Sequence, residues 1–338
     1  MQTSSDFVRL PYTPDLTEGG IAYALRSLPY SSFERLSAYD RIRRKVAGAA
    51  VELAFRRYLS QQDVPFQTAA ATPFAAHDQY DVSLAQPPAG DGRRCDIQSF
   101  LISRRNQILE MRRNPALMLN APALVASDQH AADERSESDL YVFAFLAGLT
   151  AVSQNDLKKI IETNLPRYFI HAMPELWRKP MHWNPLGTLV LKSESDAETL
   201  VEISGQDAGR EFLTRTVNLP PKTRVTVADP FYSIAAIHVK DMPSARLGIH
   251  FSVSKKTYLI APAEWGNIWV YGMDIYFTGF ITRGEFRQRA NLIAPNSRVF
   301  QYEHTRVKNL AVPISELKPL QDLLTRAREW KSPGEGVR

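Results

Sequence analysis

From Asp139 the chain reads Asp-Leu-Tyr-Val-Phe-Ala-Phe-Leu-Ala to Ala147, apolar after its first residue. A strand of this kind shows no polar alternation, so it has no face to give to water. It belongs inside a sheet covered on both sides. Extended to Val152, the apolar run is still well short of the ~20 residues that a membrane-spanning helix needs. A soluble α/β fold is therefore expected, with no membrane partner.

The segments before this strand supply the rest of such a fold. Ser37 to Ser60 reads as a long helix, because Ile42, Val46, Ala49, Leu53 and Ala54 recur at helical spacing with no proline among them. Val64 to Thr68 and Tyr80 to Ala85 read as short strands. Between Tyr80 and Ala85, Val82 and Leu84 alternate with Asp81 and Ser83. Gln86 to Gly92 has the composition of a turn. Arg94 to Ser103 reads as a third strand, and Asn106 to Leu119 as a helix or pair of turns interrupted at Pro115. Asn155 to Glu162 is helical after the apolar strand. The expected order is helix, three strands, helix, strand, helix.

The 338 residues suggest two domains. Pro166, Pro174, Pro180 and Pro185 mark a Pro-rich linker over 166–185, between domains at 1–165 and 186–330. The second reads as β-rich, from short β-branched segments at Thr188–Lys192, Thr199–Ile203, Glu211–Val217, Arg224–Ala228, Ser233–Lys240 and Leu247–Val253. Asp274 to Thr282 is another buried strand, leading into a helix from Arg283 to Ala290. It shares an Asp, apolar, Tyr, apolar pattern with the strand at Asp139. Either two related α/β units or convergence of buried strands accounts for that.

Three acidic positions stand out. Glu52 lies on the long helix, Asp81 on the second strand and Asp96 on the third. Strands joined by a hairpin can set Asp81 against Asp96, and Gln98, two residues on, shares a face with Asp96. Carboxylates brought that close favour a cation between them, and Mg²⁺ or Mn²⁺ suits oxygen ligands. Basic pairs flank these acids: Arg43-Arg44, Arg56-Arg57, Arg93-Arg94, Arg104-Arg105 and Arg112-Arg113. Such a surface suits a polyanion. Each acid also has a plain structural reading, with Asp81 capping a hairpin, Asp96 pairing with Arg94 and Glu52 pairing with Arg56 at i+4.

A helix with Glu, then Asp, then (Asp/Glu)-x-Lys on adjacent strands is the pattern of the PD-(D/E)XK, or restriction-endonuclease-like, nuclease superfamily. The chain resembles it from about Ser37 to Glu162. It departs from it at Tyr80, where a Pro is usual, and at Gln98, where Lys is usual. The resemblance implies a mixed sheet flanked by helices. Asp81 and Asp96 would be metal ligands and Glu52 would support the metal or its water. Gln98 would hold that water without acting as a base. It implies a Mg²⁺-dependent DNA endonuclease in a restriction or phage-defence setting, in a complex or as a homodimer. Arg43, Arg44, Arg56, Arg104 and Arg105 would contact phosphates. The alternative is a catalytically inactive DNA-binding or assembly subunit retaining the fold.

Other chemistries find less support. Asp229 with His238-Val239-Lys240 forms at most a degenerate second copy of the motif. The seven histidines show no zinc-ligand spacing. No Gly-Lys-Ser/Thr phosphate loop and no Gly-x-Ser-x-Gly elbow occurs. Trp265, Trp269, Tyr271 and Tyr276 offer rings for stacking on bases, but aromatic residues in a β-rich region more often fill a core. The 41 Lys and Arg against 36 Asp and Glu give +5, compatible with a nucleic-acid partner. A single cysteine, Cys95, excludes an intrachain disulfide, and no signal peptide is visible. A cytoplasmic protein is expected.

Overall fold

A computed structural model of the chain describes residues 2–30, 37–68, 82–84, 93–131, 136–177, 183–228, 231–253 and 255–329. The chain divides into two compact units. The first joins Met1–Thr17, Ala47–Leu149 and Tyr271–Arg338, and the second joins Glu18–Val46 and Thr150–Val270. Among the described residues, no helix is long and apolar enough to cross a membrane.

The first unit is α/β. Its six-stranded mixed sheet has the order Val8–Leu10, Val270–Thr282, Leu140–Thr150, Arg93–Ile102, Val82–Leu84, Phe66–Gln67. Leu140 to Ala147 is buried throughout, as an apolar run in mid-sheet requires. Arg93–Ile102 and Leu140–Thr150 run parallel, with Cys95 beside Leu140 and Ile102 beside Ala147. Parallel neighbours need a crossover. Here it consists of the helix Arg105–Arg113, the 3-10 turn Pro115–Asn120, the strand Pro122–Ala126 and the helix Ser127–Ala131. Phe66–Gln67, Val82–Leu84 and Arg93–Ile102 pair antiparallel.

The long helix spans Ala38–Gln61. Ser37 caps it, its hydroxyl accepting from the Asp40 N–H at 3.2 Å. Asp63, at φ 53°, stands in the left-handed conformation just past its end. Within the first unit the helix meets the sheet through Gly48 and Phe55. A methyl group at Gly48 would lie 3.5 Å from the Ser99 hydroxyl, and the Phe55 and Phe277 rings are 5.2 Å apart. The opposite sheet face carries Phe100, Tyr141, Phe143, Phe145 and Tyr276, packed with Ile108, Met111, Met118 and Phe286.

The second unit is rich in antiparallel sheet. Five strands lie in the order Phe212–Leu219, Thr199–Gln206, Ser233–Val239, Phe169–Ala172, Gly266–Asn267. Four more lie in the order Arg224–Val227, Leu189–Ser193, Leu247–Phe251, Thr257–Ile260.

The short strands expected after residue 186 form close to their expected bounds, but the expected domain bounds do not match the compact units. Phe169–Ala172, inside the expected linker 166–185, pairs with Ser233–Val239 in the second unit. Residues 271–329, expected in the β-rich domain, return to the first unit because Val270–Thr282 takes the place beside Leu140–Thr150. The two strands with the shared Asp-x-Tyr pattern are thus neighbours in one sheet and not the centres of two separate units.

Candidate functional site

Asp96 is 6% exposed on the Arg93–Ile102 strand. Its Oδ1 accepts from Gln98 Nε2 at 2.9 Å and its Oδ2 from Gln129 Nε2 at 3.2 Å. The expected shared face of Asp96 and Gln98 is therefore present. Gln129 was not singled out in the sequence. It lies on the Ser127–Ala131 helix, in the polar run Asp128-Gln129-His130 that follows a buried apolar strand. His130 Nδ1 and the Tyr141 hydroxyl are 3.0 Å apart, and Tyr141 stands beside Asp96 in the parallel register. The buried Arg283 donates to the His130 carbonyl. Gln129, His130, Tyr141 and Arg283 thus extend the polar cluster around Asp96.

Glu52 does not join it. Alternation along a regular strand turns Ser99 to the face opposite Asp96, and Ser99 faces Gly48 of the long helix. Glu52 follows Gly48 by four residues and Phe55 by minus three, so all three share the sheet-facing side of that helix. The sheet therefore lies between Glu52 and Asp96. Glu52 forms an ion pair with Arg56 instead. This corrects the expected convergence, because spacing along a helix fixes its face but not which side of the sheet it covers.

Asp81 lies outside the described residues, as does Asp229. Among the described residues, no group of three or more His, Cys, Asp and Glu side chains is placed to hold a metal ion. Asp96 is the single carboxylate of the expected set in the Gln98–Gln129 cluster, and both of its oxygens face carboxamide nitrogens. The described residues alone do not fit a Mg²⁺ site, which takes oxygen ligands.

The arginines separate into two groups. Arg43, expected on DNA, is 5% exposed in the second unit. Its Nε donates to the Asn267 carbonyl at 2.9 Å and its Nη1 to Asp40 at 3.1 Å. Its guanidinium is held inside the fold and does not reach a phosphate, which corrects that expectation. Arg44 is exposed in the same unit, and Arg56 is occupied by Glu52. Arg104 and Arg105 open the Arg105–Arg113 helix of the first unit and line a cavity of about 980 Å³ with Asn106, Gln107, Asn120 and Arg298. Arg104 is tied to Gln107 at 2.9 Å and to the Phe300 carbonyl at 3.2 Å. Arg105 and Arg298 are exposed and have no hydrogen-bond or ion-pair partner among the described residues. Arg298 sits in a Pro-Asn-Ser-Arg turn, and nothing in its local sequence ties it to Arg105.

Of the four aromatic residues expected to favour the core, Trp265, Trp269 and Tyr276 are buried, at 2%, 7% and 3% exposed, and Tyr271 is half-buried. His238 stacks on Tyr168, with ring centroids 3.6 Å apart, and its Nδ1–H donates to the Phe169 carbonyl at 2.9 Å. Burial makes His238 more acidic than a free imidazole, against the opposing pull of that carbonyl and of Glu202. Its place is therefore in a packed stack.

No protein-family model matches the chain, and no curated protein matches it.

Proposed function

We propose that the first unit is a nucleic-acid-binding module on a restriction-endonuclease-like core, and that the chain engages DNA through the arginine-lined cavity. The observation that carries this is the pair Arg105 and Arg298, exposed and unpartnered among the described residues, on the wall of the 980 Å³ cavity. The free N–H groups of the first helical turn at Arg105 add to an anion's attraction there. The succession of helix, three antiparallel strands, helix and, after the added Pro122–Ala126 strand and Ser127–Ala131 helix, a parallel strand supports the resemblance. The polar cluster around Asp96 favours the non-catalytic form of this reading, because carboxamides occupy both carboxylate oxygens and Glu52 lies across the sheet.

Mg²⁺-dependent cleavage is the second reading. One observation favours it: Val82 pairs with Cys95, and Asp81 and Asp96 are their neighbours in sequence. Subunits of a defence complex, or a second copy of the chain, belong to the same proposal as partners.

Two measurements test these readings. Duplex binding in EDTA should weaken steeply with salt, and Arg105→Ala/Arg298→Ala should make the slope of log K against log[salt] shallower by about 2. An unchanged slope would reject the cavity as the DNA surface. A plasmid-nicking time course with Mg²⁺ on wild type, Gln98→Lys and Gln98→Lys/Asp96→Ala separates the two readings. On the non-catalytic reading all three are equal. Cleavage in Gln98→Lys that disappears in the double variant would put the nuclease first.

A further inference from the structure

The second unit contains a cavity that the DNA reading does not use. It measures about 410 Å³ and lies between residues 18–26 and one face of the five-stranded sheet. That volume is at the lower end of the small-molecule range of ~300–1,000 Å³. Tyr168, Phe212 and Trp269 provide aromatic walls, Glu202, Ser204 and Thr214 provide polar groups on the sheet, and Glu18 and Arg26 line the opposite wall.

The register explains why these polar groups meet. Glu202 and Ser204 are two apart on the Thr199–Gln206 strand and so share a face. Thr214 lies directly opposite Ser204 on the neighbouring strand, and His238 directly opposite Glu202 on the other side. The Tyr168 ring is fixed by its stack on His238, and its hydroxyl donates to Glu202 Oε1 at 3.3 Å. Ser204 is 2% exposed, yet its hydroxyl has no hydrogen-bond partner among the described residues. That hydroxyl lies on the cavity wall and is available to a ligand there.

We propose that this cavity binds a nucleobase carrying an exocyclic amine, such as adenine. Flat rings stack on aromatic side chains whatever their sequence context. The Glu202 carboxylate accepts and does not donate, so it selects an N–H at the position facing it. A base presenting a carbonyl there meets the carboxylate as a second acceptor and is rejected. Ser204 and Thr214 supply hydroxyls that can both donate and accept toward the ring nitrogens. The assignment is independent of the nuclease-like reading, because it concerns the second unit alone.

Calorimetric titration of the full chain with adenosine and with inosine tests this. The two ligands differ at C6, where inosine has a carbonyl in place of the amine, and at N1, which carries a hydrogen in inosine and is an acceptor in adenosine. Adenosine should saturate the protein, and inosine should bind at least about tenfold more weakly. Glu202→Gln, which keeps size and shape, should weaken adenosine about tenfold by removing a charge-assisted bond. Ser204→Ala should weaken it about threefold to tenfold. A short oligo(dA) in parallel distinguishes the sources. Binding of adenosine alone identifies a free nucleoside or nucleotide. Tighter binding of the oligonucleotide that is still lost in Glu202→Gln identifies a base presented by a strand. Equal affinity for inosine, adenosine binding unchanged in Glu202→Gln, or no saturation by either nucleoside or by the oligonucleotide at millimolar concentration would overturn the proposal.

Discussion

Asp274 in the first unit and Glu202 in the second are both carboxylates on sheet strands, and they are held in different ways. Asp274 has an 11% exposed side chain and takes the guanidinium groups of Arg9 and Arg112, one on each oxygen. Glu202 takes the neutral hydroxyl of Tyr168, which is itself stacked on His238. Burial, followed by the Glu202 charge, holds that phenol well above the ordinary tyrosine range, so it stays a proton donor. A carboxylate compensated by two cations is committed to the fold. A carboxylate oriented by a neutral donor remains open to a ligand. The first should matter to stability and the second to binding.

The largest expected effect follows from Asp274. Asp274→Ala would leave two guanidinium groups without their carboxylate. Breaking a fully buried pair costs ~3–5 kcal/mol. The Arg9 and Arg112 side chains are 61% and 40% exposed, so water recovers part of that. A loss of about 2 kcal/mol in urea unfolding is expected. A loss below about 0.5 kcal/mol would mean that the two ion pairs are surface decoration, and the contrast with Glu202 would fail.

A smaller effect should appear as a pH dependence originating in the second unit. Burial lowers the pKa of His238 and of His171. In the unfolded chain both would titrate near ~6.5. Below that pH the unfolded chain binds protons that the folded rings refuse, so unfolding is favoured. This contribution is fully present above about pH 6.5. It is lost as pH falls toward the lower folded values. Urea midpoints at pH 8, 7, 6 and 5.5 should therefore decline below neutrality. His238→Phe keeps a ring against Tyr168 and should flatten that decline. The same slope in wild type and variant would show that His238 is not protected from protonation.

Local pattern made much of the fold legible. Helical spacing from Ile42 to Ala54 placed the long helix within one residue of Ala38–Gln61 at each end. The apolar run after Asp139 marked a strand buried on both faces. Pro115 separated the Arg105–Arg113 helix from its 3-10 continuation. The helix Pro14–Ser27 was not legible, because Gly19 and Gly20 break its apolar pattern. Gly20 is required all the same, since a Cβ there would collide with the Val46 carbonyl. Pairings between distant segments were not legible either. Nothing near Val270 announces a place beside Leu140–Thr150. The candidate site divides in the same way. The shared face of Asp96 and Gln98 followed from a two-residue spacing on one strand. The separation of Glu52 from Asp96 depended on which sheet face the helix covers. Glu202 and Ser204 share a face through their two-residue spacing, but Thr214 and His238 join them through strand order, and short-range spacing does not show that.

The smallest effect, and the sharpest test of the contrast, is Glu202→Gln measured as stability. The substitution keeps side-chain length and retains an oxygen that accepts from the Tyr168 hydroxyl. It removes a negative charge that tends to raise the pKa of His238. His238 should therefore become still harder to protonate, and the loss of stability below pH 6.5 somewhat steeper. At pH 8, where His238 is neutral in both states, that difference vanishes. The remaining change is the exchange of one charged acceptor for a neutral one at a partly solvated position. Half-exposed substitutions of that kind fall within about 0.5 kcal/mol. Urea unfolding of wild type and Glu202→Gln at pH 8 should give midpoints that nearly coincide, while the same pair differs in adenosine affinity. A loss of 2 kcal/mol or more would place Glu202 with Asp274 as a structural carboxylate, and the cavity beside it would then lose its case as a binding site.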